Sequence, residues 1–356
     1  MHNPYTKNVL NPINIAIVGA TGAVGTTLIS LFEERNFYYD NLYLVASAKS
    51  KGKHLKVKNV DYPIHDLAEF DFGQVNLAFF SAGTGISQEW VKKATDKGVI
   101  VIDNTNAFRM DHQTPLVVPQ VNGHLLYQKP KSGVIANPNC STIPLVRLLK
   151  PIDQYYNLKK IIVSTYQAAS GRGLSGINDL IENTDKSLHN NETLPSSKKF
   201  STTLAFNLIP DIDTRLETGF TLEEQKMRQE SRKIMDKPEL LVSATCVRVP
   251  VVNCHSEAVY FECDHHLDQK NILTMLAKQP EVTVYEGQGL EGYPTPRTIN
   301  NFDHVHVGRV RVDPDNPKAG WLWLVADNLR IGAALNAIQI AEIFLGKEQY
   351  NVNACA

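Results

Sequence analysis

A cysteine at the predicted start of a helix is the strongest candidate nucleophile in this sequence. Cys140 follows a predicted strand at 133–136, and the apolar residues after it, among them Ile143, Val146 and Leu149, predict a buried helix. The free N–H groups and the dipole of a helix N-terminus favour a thiolate over a thiol, and the thiolate is the nucleophilic form. We therefore predict a covalent intermediate on Cys140. For the other four cysteines, a buried and unreactive thiol is the better interpretation.

A glycine-rich loop near the N-terminus has the setting of a dinucleotide-binding turn. The apolar run at 13–18 predicts a strand buried on both faces, and a helical pattern follows at 24–32. Between them lies Gly19-Ala-Thr-Gly22-Ala-Val-Gly25, whose glycines permit the turn, the approach of a pyrophosphate and close helix–sheet packing. The spacing departs from G-x-G-x-x-G, and a plain glycine-rich turn is the alternative.

The segment about twenty residues further on favours NADP over NAD. An NAD-binding unit usually carries Asp or Glu at the end of its second strand, where the carboxylate holds the ribose 2′-hydroxyl. This sequence has Ala46-Ser47-Ala48-Lys49-Ser50-Lys51 instead. Hydroxyl and ammonium groups suit a 2′-phosphate, and the absence of a carboxylate there removes a repulsion. NADP is thus the predicted cofactor, with a solvated lysine-rich turn as the alternative.

The order of the predicted elements indicates an α/β protein with two domains. Strands and helices alternate through the first part, as in a Rossmann-type, doubly wound parallel sheet. From about residue 161 the strands are longer and several alternate in polarity, which predicts a mainly antiparallel sheet in an α+β domain. We assign residues 1–140 to the cofactor domain, completed by a C-terminal helix in 330–356. Residues 141–329 form the second domain.

Composition excludes several classes of function. The 356 residues are 43% hydrophobic and 21% charged, with a net charge of -1, so the chain lacks the field that nucleic-acid or anionic-membrane binding requires. It has no apolar run of the roughly 20 residues that a membrane span needs. Residues 1–11 lack the apolar stretch of a signal peptide, so a cytoplasmic location is expected.

No metal site is expected. The nearest approach to a ligand cluster is Cys263, His265 and His266, with His304 and His306 far along the chain. These residues fit strands better, where neighbouring side chains point to opposite faces and cannot share an ion.

Seven short motifs occur in the order typical of one enzyme family. They are GATGAVG from Gly19, DNTNAFRM from Asp103, NPNCST from Asn137, STYQAASG from Ser164, EEQK from Glu223, RVPVVNCHSE from Arg248 and DNLRIGAA from Asp327. The resemblance that they indicate extends from residue 13 to about residue 342. In this order they resemble the bacterial-type aspartate-semialdehyde dehydrogenases.

The resemblance implies a catalytic set. Cys140 is the nucleophile, Gln167 orients the reacting group and His255 is the acid/base. Asn139 and nearby backbone N–H groups are candidates to stabilise the oxyanion. An imidazole suits proton transfer because its ordinary pKa lies near neutrality, although His255 alone would be an ordinary hydrogen-bonded histidine.

The resemblance also implies separate contacts for each end of the substrate. Arg248 offers a planar fork that fits an α-carboxylate. Glu223 is assigned to the amino group, and Lys226 with Arg109 to the phosphate. A surface ion pair is the alternative for Glu223 and Lys226, since they are three residues apart on a predicted helix. Arg172 stands where a small residue is expected, and its role stays open.

The implied reaction is NADPH-dependent reductive dephosphorylation of L-aspartyl 4-phosphate to L-aspartate 4-semialdehyde, in lysine, methionine and threonine biosynthesis. Its partners are the small-molecule substrate and inorganic phosphate, and the second domain forms a homodimer. The predicted cofactor contacts are Gly19, Thr21, Gly22, Ala23, Val24, Gly25, Ser47, Lys49, Ser50, Ser81, Ala82, Gly83, Ser170, Gly171 and Asn328. The alternatives are N-acetyl-glutamyl-phosphate reductase, a malonyl-CoA reductase and a non-catalytic NADP-sensing protein.

Overall fold

The computed structural model describes residues 12–189 and 196–346. Two compact units divide the chain, one formed by Met1–Asn139 with Ala333–Ala356 and the other by Cys140–Gly332. Residues 1–11 and 347–356, which include the N-terminal segment and the end of the predicted C-terminal helix, lie outside the described residues. Within the described ranges, no helix is long and apolar enough to cross a membrane.

A seven-stranded sheet forms the centre of the first unit. Its strands are β1 (Asn14–Val18), β2 (Asn41–Ala46), β3 (His54–Val57), β4 (Val60–Asp66), β5 (Leu77–Phe80), β6 (Ile100–Asp103) and β7 (Val134–Ala136). Their order is β3-β4-β2-β1-β5-β6-β7, and the pairs are parallel apart from β3 with β4. The predicted doubly wound parallel sheet is confirmed. The β3–β4 edge was not predicted, because its residues are largely polar or exposed and form no buried run.

Three helices accompany these strands along the chain. They are α1 (Ala23–Glu34), α2 (Thr84–Thr95) and α3 (Pro119–Asn122). Helix α1 forms because Leu28, Leu31 and Phe32 recur on one face, and all three side chains are completely buried. This burial fixes the start of α1, and with it the glycine loop that precedes the helix.

The second unit is built on a six-stranded mixed sheet. Its elements are α4 (Thr142–Tyr156), β8 (Leu158–Gln167), α5 (Gly173–His189), α6 (Leu222–Met235), β9 (Leu241–Arg248), β10 (His255–Cys263), α7 (Gln269–Ala277), β11 (Val282–Val284), β12 (Val305–Val312) and β13 (Ala319–Ala326). The order is β11-β12-β13-β10-β8-β9. The three central pairs are antiparallel and the two outer pairs are parallel, in agreement with the predicted mainly antiparallel sheet.

Strand β10 ends before the two histidines that were interpreted as strand residues. Its last residue is Cys263, so His265 and His266 lie in the bend after the strand and not on opposite faces of it. That interpretation of the two histidines was wrong. Within the described residues, no group of His, Cys, Asp and Glu could hold a metal ion.

The chain leaves the second unit through a π-helical turn, Arg330–Ala334, and ends its described part with α8 (Leu335–Phe344). Every residue of α8 is buried, as expected of a helix enclosed by the core. Such π-turns occur often at functional sites, because the extra residue redirects the backbone locally.

Candidate functional site

The glycine loop of the first unit has a backbone that side chains would disrupt. Gly19 has a φ of +91°, and a Cβ there would lie 2.9 Å from the carbonyl carbon of Ser81. A Cβ on Gly25 would collide with the carbonyl oxygen of Gly19. The N–H of Gly22 donates to that same oxygen at 2.9 Å. The loop therefore requires glycine at 19 and 25 for steric reasons, as the dinucleotide-binding interpretation assumed.

A cavity of about 490 Å³ opens above this loop. Six of the predicted cofactor contacts line it, namely Gly19, Thr21, Gly22, Ser47, Ser81 and Ala82. The other predicted contacts of this unit, Ala23, Val24, Gly25, Lys49, Ser50 and Gly83, do not line this cavity. Lys49 and Ser50 belong to the short 3-10 turn that follows Ser47, and Lys49 is exposed. The cavity thus lies at the start of α1, where a helix N-terminus offers N–H donors to an anionic group.

Sequence reasoning missed part of the lining of this cavity. Asp66, Leu67, Ile86 and Trp90 line it. Asp66 ends β4 and pairs with Ala46 at the end of β2, so the site has a carboxylate although β2 itself ends without one. The signal was hidden because β4 was not predicted. The Asp66 side chain accepts the N–H of Ala68 at 3.1 Å.

In the second unit, Cys140 lies just before α4 and is partly exposed. Gly332, in the π-helical turn, lies against it, since a Cβ on Gly332 would be 2.8 Å from the Cβ of Cys140 and 3.0 Å from its Cα. Sequence reasoning missed Gly332 as a site residue. Its only signal was its place within the DNLRIGAA motif.

Substitution of Gly332 is expected to displace the candidate nucleophile. A methyl group has no space beside Cys140, so Gly332→Ala should reduce kcat by roughly tenfold to a hundredfold, since small misplacements of reacting groups are costly. The measurement is steady-state turnover together with the melting temperature. Gly85→Ala is the matched control because a Cβ there meets open space. Full activity of Gly332→Ala would show that Cys140 tolerates displacement.

Three predicted site residues come together on adjacent strands. Arg248 ends β9 and pairs with Gln167 at the end of β8, and His255 begins β10 next to the Ser256–Tyr166 pair. We call Arg248, Gln167 and His255 the front row. All three are buried. The row exists because these strand ends meet at one edge of the sheet, which the sequence could not show.

The backbone of Ala168 connects both ends of the front row. Its N–H donates to Nδ1 of His255 at 3.0 Å, and its carbonyl oxygen accepts from Nη1 of Arg248 at 2.7 Å. A Cβ on Gly171 would lie 2.6 Å from Nη1 of Arg248 and 3.4 Å from Nε2 of His255. Gly171, predicted as a cofactor contact, therefore packs against the front row. Glycine at 171 leaves room for both side chains.

His255 is held in a single neutral form. Burial, together with the positive charge of Arg248, holds the pKa of His255 well below its usual range. Because Nδ1 accepts the N–H of Ala168, the proton of the neutral ring must be on Nε2. Within the described residues, Nε2 has no hydrogen-bond partner. His255 therefore presents a buried N–H donor for another group.

The charged pair on α6 is linked to the front row. Glu223 accepts a hydrogen bond from Gln167 at 3.2 Å and forms an ion pair of 3.1 Å with Lys226, which also contacts Asp213 at 2.6 Å. Side-chain exposure is only 16% for Lys226 and 8% for Glu223, so this is not a surface pair. Burial lowers the pKa of Lys226, but the charges of Glu223 and Asp213 outweigh it and raise the pKa overall.

Several charged or ionisable groups act on the guanidinium of Arg248. Burial lowers its pKa, and the neighbouring charges of Glu223 and Cys140 act in the opposite direction. Arg172, which is exposed, adds a positive charge that lowers the pKa of Arg248 further. Gln167 also donates to the hydroxyl of Ser141 at 3.0 Å, next to Cys140. A thiol, a guanidinium, a neutral imidazole and an amide thus converge in one unit.

The remaining predicted residues are placed as follows. Arg109, in the first unit, is buried and donates to the carbonyl oxygens of Asn104 and Asn137, both at 2.9 Å. Asn139, in the same unit, is buried. Ser170 and Asn328, in the second unit, were predicted as cofactor contacts. Their side chains bond to each other at 2.9 Å.

His306 is the second residue of β12 and His304 directly precedes the strand, and both are remote in sequence from this group. Nδ1 of His306 lies 3.2 Å from the hydroxyl of Tyr285, and Nε2 bonds the carbonyl oxygen of Asn301 at 2.7 Å. Nδ1 of His304 lies 2.8 Å from the hydroxyl of Thr283. These contacts give both histidines ordinary structural partners.

Two family models match the chain. Residues 14–129 match the semialdehyde dehydrogenase NAD binding domain, and residues 149–331 match the semialdehyde dehydrogenase dimerisation domain. The two matches coincide with the regions that contain the glycine loop and the front row. The family therefore has the same two-part organisation as this chain.

Individual relatives agree with the family models. The aspartate-semialdehyde dehydrogenase of Aquifex aeolicus is 45% identical over 332 residues, covering 93% of this chain and 97% of its own length. That of Bacillus subtilis is 44% identical, with 93% and 96% covered. The crystal structure of aspartate semialdehyde dehydrogenase II complexed with ASA from Vibrio cholerae superimposes with a TM-score of 0.91 at 42% identity, covering 96% of this chain and 100% of that one. The resemblance drawn from the seven motifs is thereby confirmed, and the chain belongs to the aspartate-semialdehyde dehydrogenase family.

Proposed function

We propose that this protein catalyses the NADPH-dependent reduction of L-aspartyl 4-phosphate to L-aspartate 4-semialdehyde and phosphate, through a thioester on Cys140. The observation that carries the proposal is the convergence of Cys140, Arg248 and His255 within one unit. A thiol at a helix start, a carboxylate-binding fork and a neutral N–H donor are the groups that this reaction needs.

The chemistry follows from the order in which these groups act. The thiolate of Cys140 attacks the acyl carbon of the substrate, forming a carbon–sulfur bond while the phosphate leaves. When bound, NADPH supplies the hydride that reduces the thioester carbon. The N–H of His255 donates a hydrogen bond to the oxyanion that hydride addition leaves, and that oxyanion re-forms the carbonyl group as the carbon–sulfur bond breaks, which releases the aldehyde and restores the Cys140 thiolate. A neutral His255 with its proton on Nε2 is suited to this step.

Arg248 is assigned to the α-carboxylate of the substrate. One N–H of its guanidinium is bonded to Ala168, which fixes the plane of the fork and leaves other N–H groups for a carboxylate. Glu223 is the proposed contact for the substrate amino group, and Lys226 for the phosphate. Substrate groups would then replace part of the Glu223–Lys226 ion pair. Arg109 stays a predicted phosphate contact.

The cofactor is NADP, bound in the cavity above the glycine loop. The family's NAD binding domain and the fit of the loop support a dinucleotide there. The hydroxyl of Ser47 lines the cavity and Lys49 is close by in sequence, and both groups favour a cofactor with a 2′-phosphate. Asp66, which also lines the cavity, would repel that phosphate, so Lys49 has to offset its charge.

Reversing the charge at Lys49 is therefore expected to weaken NADP binding. Lys49→Glu should raise the KM for NADP by roughly tenfold, which corresponds to about 1.4 kcal/mol, and should leave kcat nearly unchanged. The measurement is a titration of each variant with NADP and with NAD. Lys56→Glu, on β3, is a control with the same charge change. If the unmodified enzyme used both cofactors equally well, the assignment would be wrong.

A cytoplasmic homodimer is the proposed assembly. The match to a dimerisation domain supports it, as do apolar side chains on β8 and β9 that are open to solvent in the single chain. They are Ile162, Tyr166 and Leu241, with exposed fractions of 41%, 36% and 58%. Light scattering on the purified protein tests the homodimer, and cell fractionation tests the location.

The direct test of the function is an assay of the reverse reaction. Purified protein is mixed with aspartate semialdehyde, NADP and phosphate, and NADPH absorbance is followed. We expect phosphate-dependent formation of NADPH, with N-acetyl-glutamate semialdehyde a much poorer substrate. A preference for the N-acetylated compound would favour the reductase alternative, and inactivity with both would favour a non-catalytic protein.

A further inference from the structure

Directly behind the front row lies a second row of buried polar side chains. It consists of Cys246 on β9, Thr165 on β8 and Glu257 on β10, and Thr165 is paired in register with both neighbours. All three residues have no exposed surface. Residues two apart on a strand share a face, so the second row is adjacent to Arg248, Gln167 and His255.

The next row along the same strands shows which kind of side chain is otherwise buried at this face of the sheet. It consists of Ala244, Val163 and Val259, which pair in the same way and are all apolar. Valine and alanine bury no group that needs a hydrogen bond. Burial alone therefore does not account for a carboxyl group in the second row.

Of the three residues in the second row, Glu257 has the side chain whose burial costs the most free energy. Within the described residues, neither oxygen of its carboxyl group has a hydrogen-bond partner. An unsatisfied buried polar group costs about 1–3 kcal/mol, and a charged one more. Burial raises the pKa of Glu257 well above its usual range, so the side chain is a neutral acid with an O–H to donate.

The neighbours of Glu257 offer acceptors for that O–H. The hydroxyl of Thr165, directly opposite, makes no hydrogen bond of normal geometry, although it lies near the thiol of Cys246. The carboxyl group of Glu257 also lies close enough to the Cys246 thiol for an electrostatic interaction. Opposite residues in antiparallel strands have Cβ atoms about 4.5–5.5 Å apart, which a glutamic acid easily spans.

We propose that Glu257 is a positioning residue of the active site. In the proposed arrangement the Glu257 side chain is turned from its rotamer in the structure, in which it has no partner among the described residues, so that the neutral acid donates to the hydroxyl of Thr165 and that hydroxyl donates to the sulfur of Cys246. This chain of hydrogen bonds connects β10, β8 and β9 directly behind the front row, and so fixes the separation of His255, Gln167 and Arg248. The inference rests on the proposed roles of these three residues.

The test compares a neutral polar replacement with an apolar one. Glu257→Gln keeps a neutral donor and should retain kcat within about threefold, whereas Glu257→Leu should lose roughly tenfold to a hundredfold in kcat through misplacement of the front row. The melting temperature of Glu257→Leu should not fall, because an apolar side chain suits this site. Val259→Ala, in the apolar row, should lose stability but keep kcat.

Two outcomes would overturn the proposal. Full activity in Glu257→Leu would mean that the hydrogen bonds do not position the front row. Equal losses in Glu257→Gln and Glu257→Leu would mean that an ionised carboxylate is required. Infrared spectroscopy tests the protonation directly, since the native protein should show a protonated-carboxyl band at neutral pH that Glu257→Gln lacks. This readout does not depend on the substrate, so an enzyme inactive with aspartate semialdehyde would contradict the proposed function without removing the infrared test.

Discussion

Replacement of Cys140 by alanine is expected to reduce turnover by about a thousandfold or more, because it removes the thiol on which the thioester is proposed to form. The loss of activity should come from the chemical step alone and not from cofactor binding. The cavity proposed for NADP is lined by residues of the first unit, so the affinity for NADP should be unchanged in Cys140→Ala. The measurements are kcat from NADPH absorbance and the NADP dissociation constant by calorimetry.

A second cysteine variant provides the control. Cys263→Ala removes a buried thiol at the far end of β10 and should keep normal turnover. Mass spectrometry after exposure to the acyl phosphate without NADPH should detect an aspartyl adduct on Cys140 in the native enzyme. Substantial activity in Cys140→Ala, or an adduct on another residue, would end the thioester mechanism.

Replacement of Arg248 by lysine is expected to lower kcat/KM for aspartate semialdehyde by about a hundredfold, although the charge is kept. An ammonium group cannot offer two parallel N–H bonds to a carboxylate. It would also lose the fixed contact of Nη1 with Ala168. Because a positive charge beside His255 persists, the neutral state of that imidazole should survive the substitution.

The design uses two titrations on each variant, one of semialdehyde at saturating phosphate and the reverse. Arg248→Lys should change kcat/KM for the semialdehyde, and Lys226→Gln should change mainly kcat/KM for phosphate. Arg228→Lys, elsewhere on α6, is the control for an arginine outside the site. If Arg248→Lys altered only kcat/KM for phosphate, the assignment of Arg248 to the α-carboxylate and of Lys226 to the phosphate would have to be reversed.

Local patterns were sufficient for much of the fold. The strand at Leu77–Phe80 and the helix after the glycine loop follow from buried runs and helical spacing, which depend on near neighbours in sequence. The nature of the second sheet was also predictable, because β9 alternates regularly between buried and exposed residues. The β3–β4 edge was not, because exposed strands have no apolar signature, and with it Asp66 was missed.

Register and close backbone packing account for what the sequence could not provide. The pairing that brings Gln167 beside Arg248 joins distant segments, and no local pattern specifies it. The same holds for Gly171, whose importance is the space that it leaves for Arg248 and His255. The neutral state of His255 depends on complete burial and on the Ala168 contact, both products of the folded chain.

The contact between Cys140 and Gly332 has a consequence for how such enzymes can diversify. Cys140 is the first residue of the second unit and Gly332 is the last, so the chain enters and leaves this unit at one point. Domains with neighbouring ends tolerate insertion into other chains and circular permutation. Recombination at these two junctions would transfer Cys140, Arg248 and His255 together, on one segment whose first residue is the proposed nucleophile.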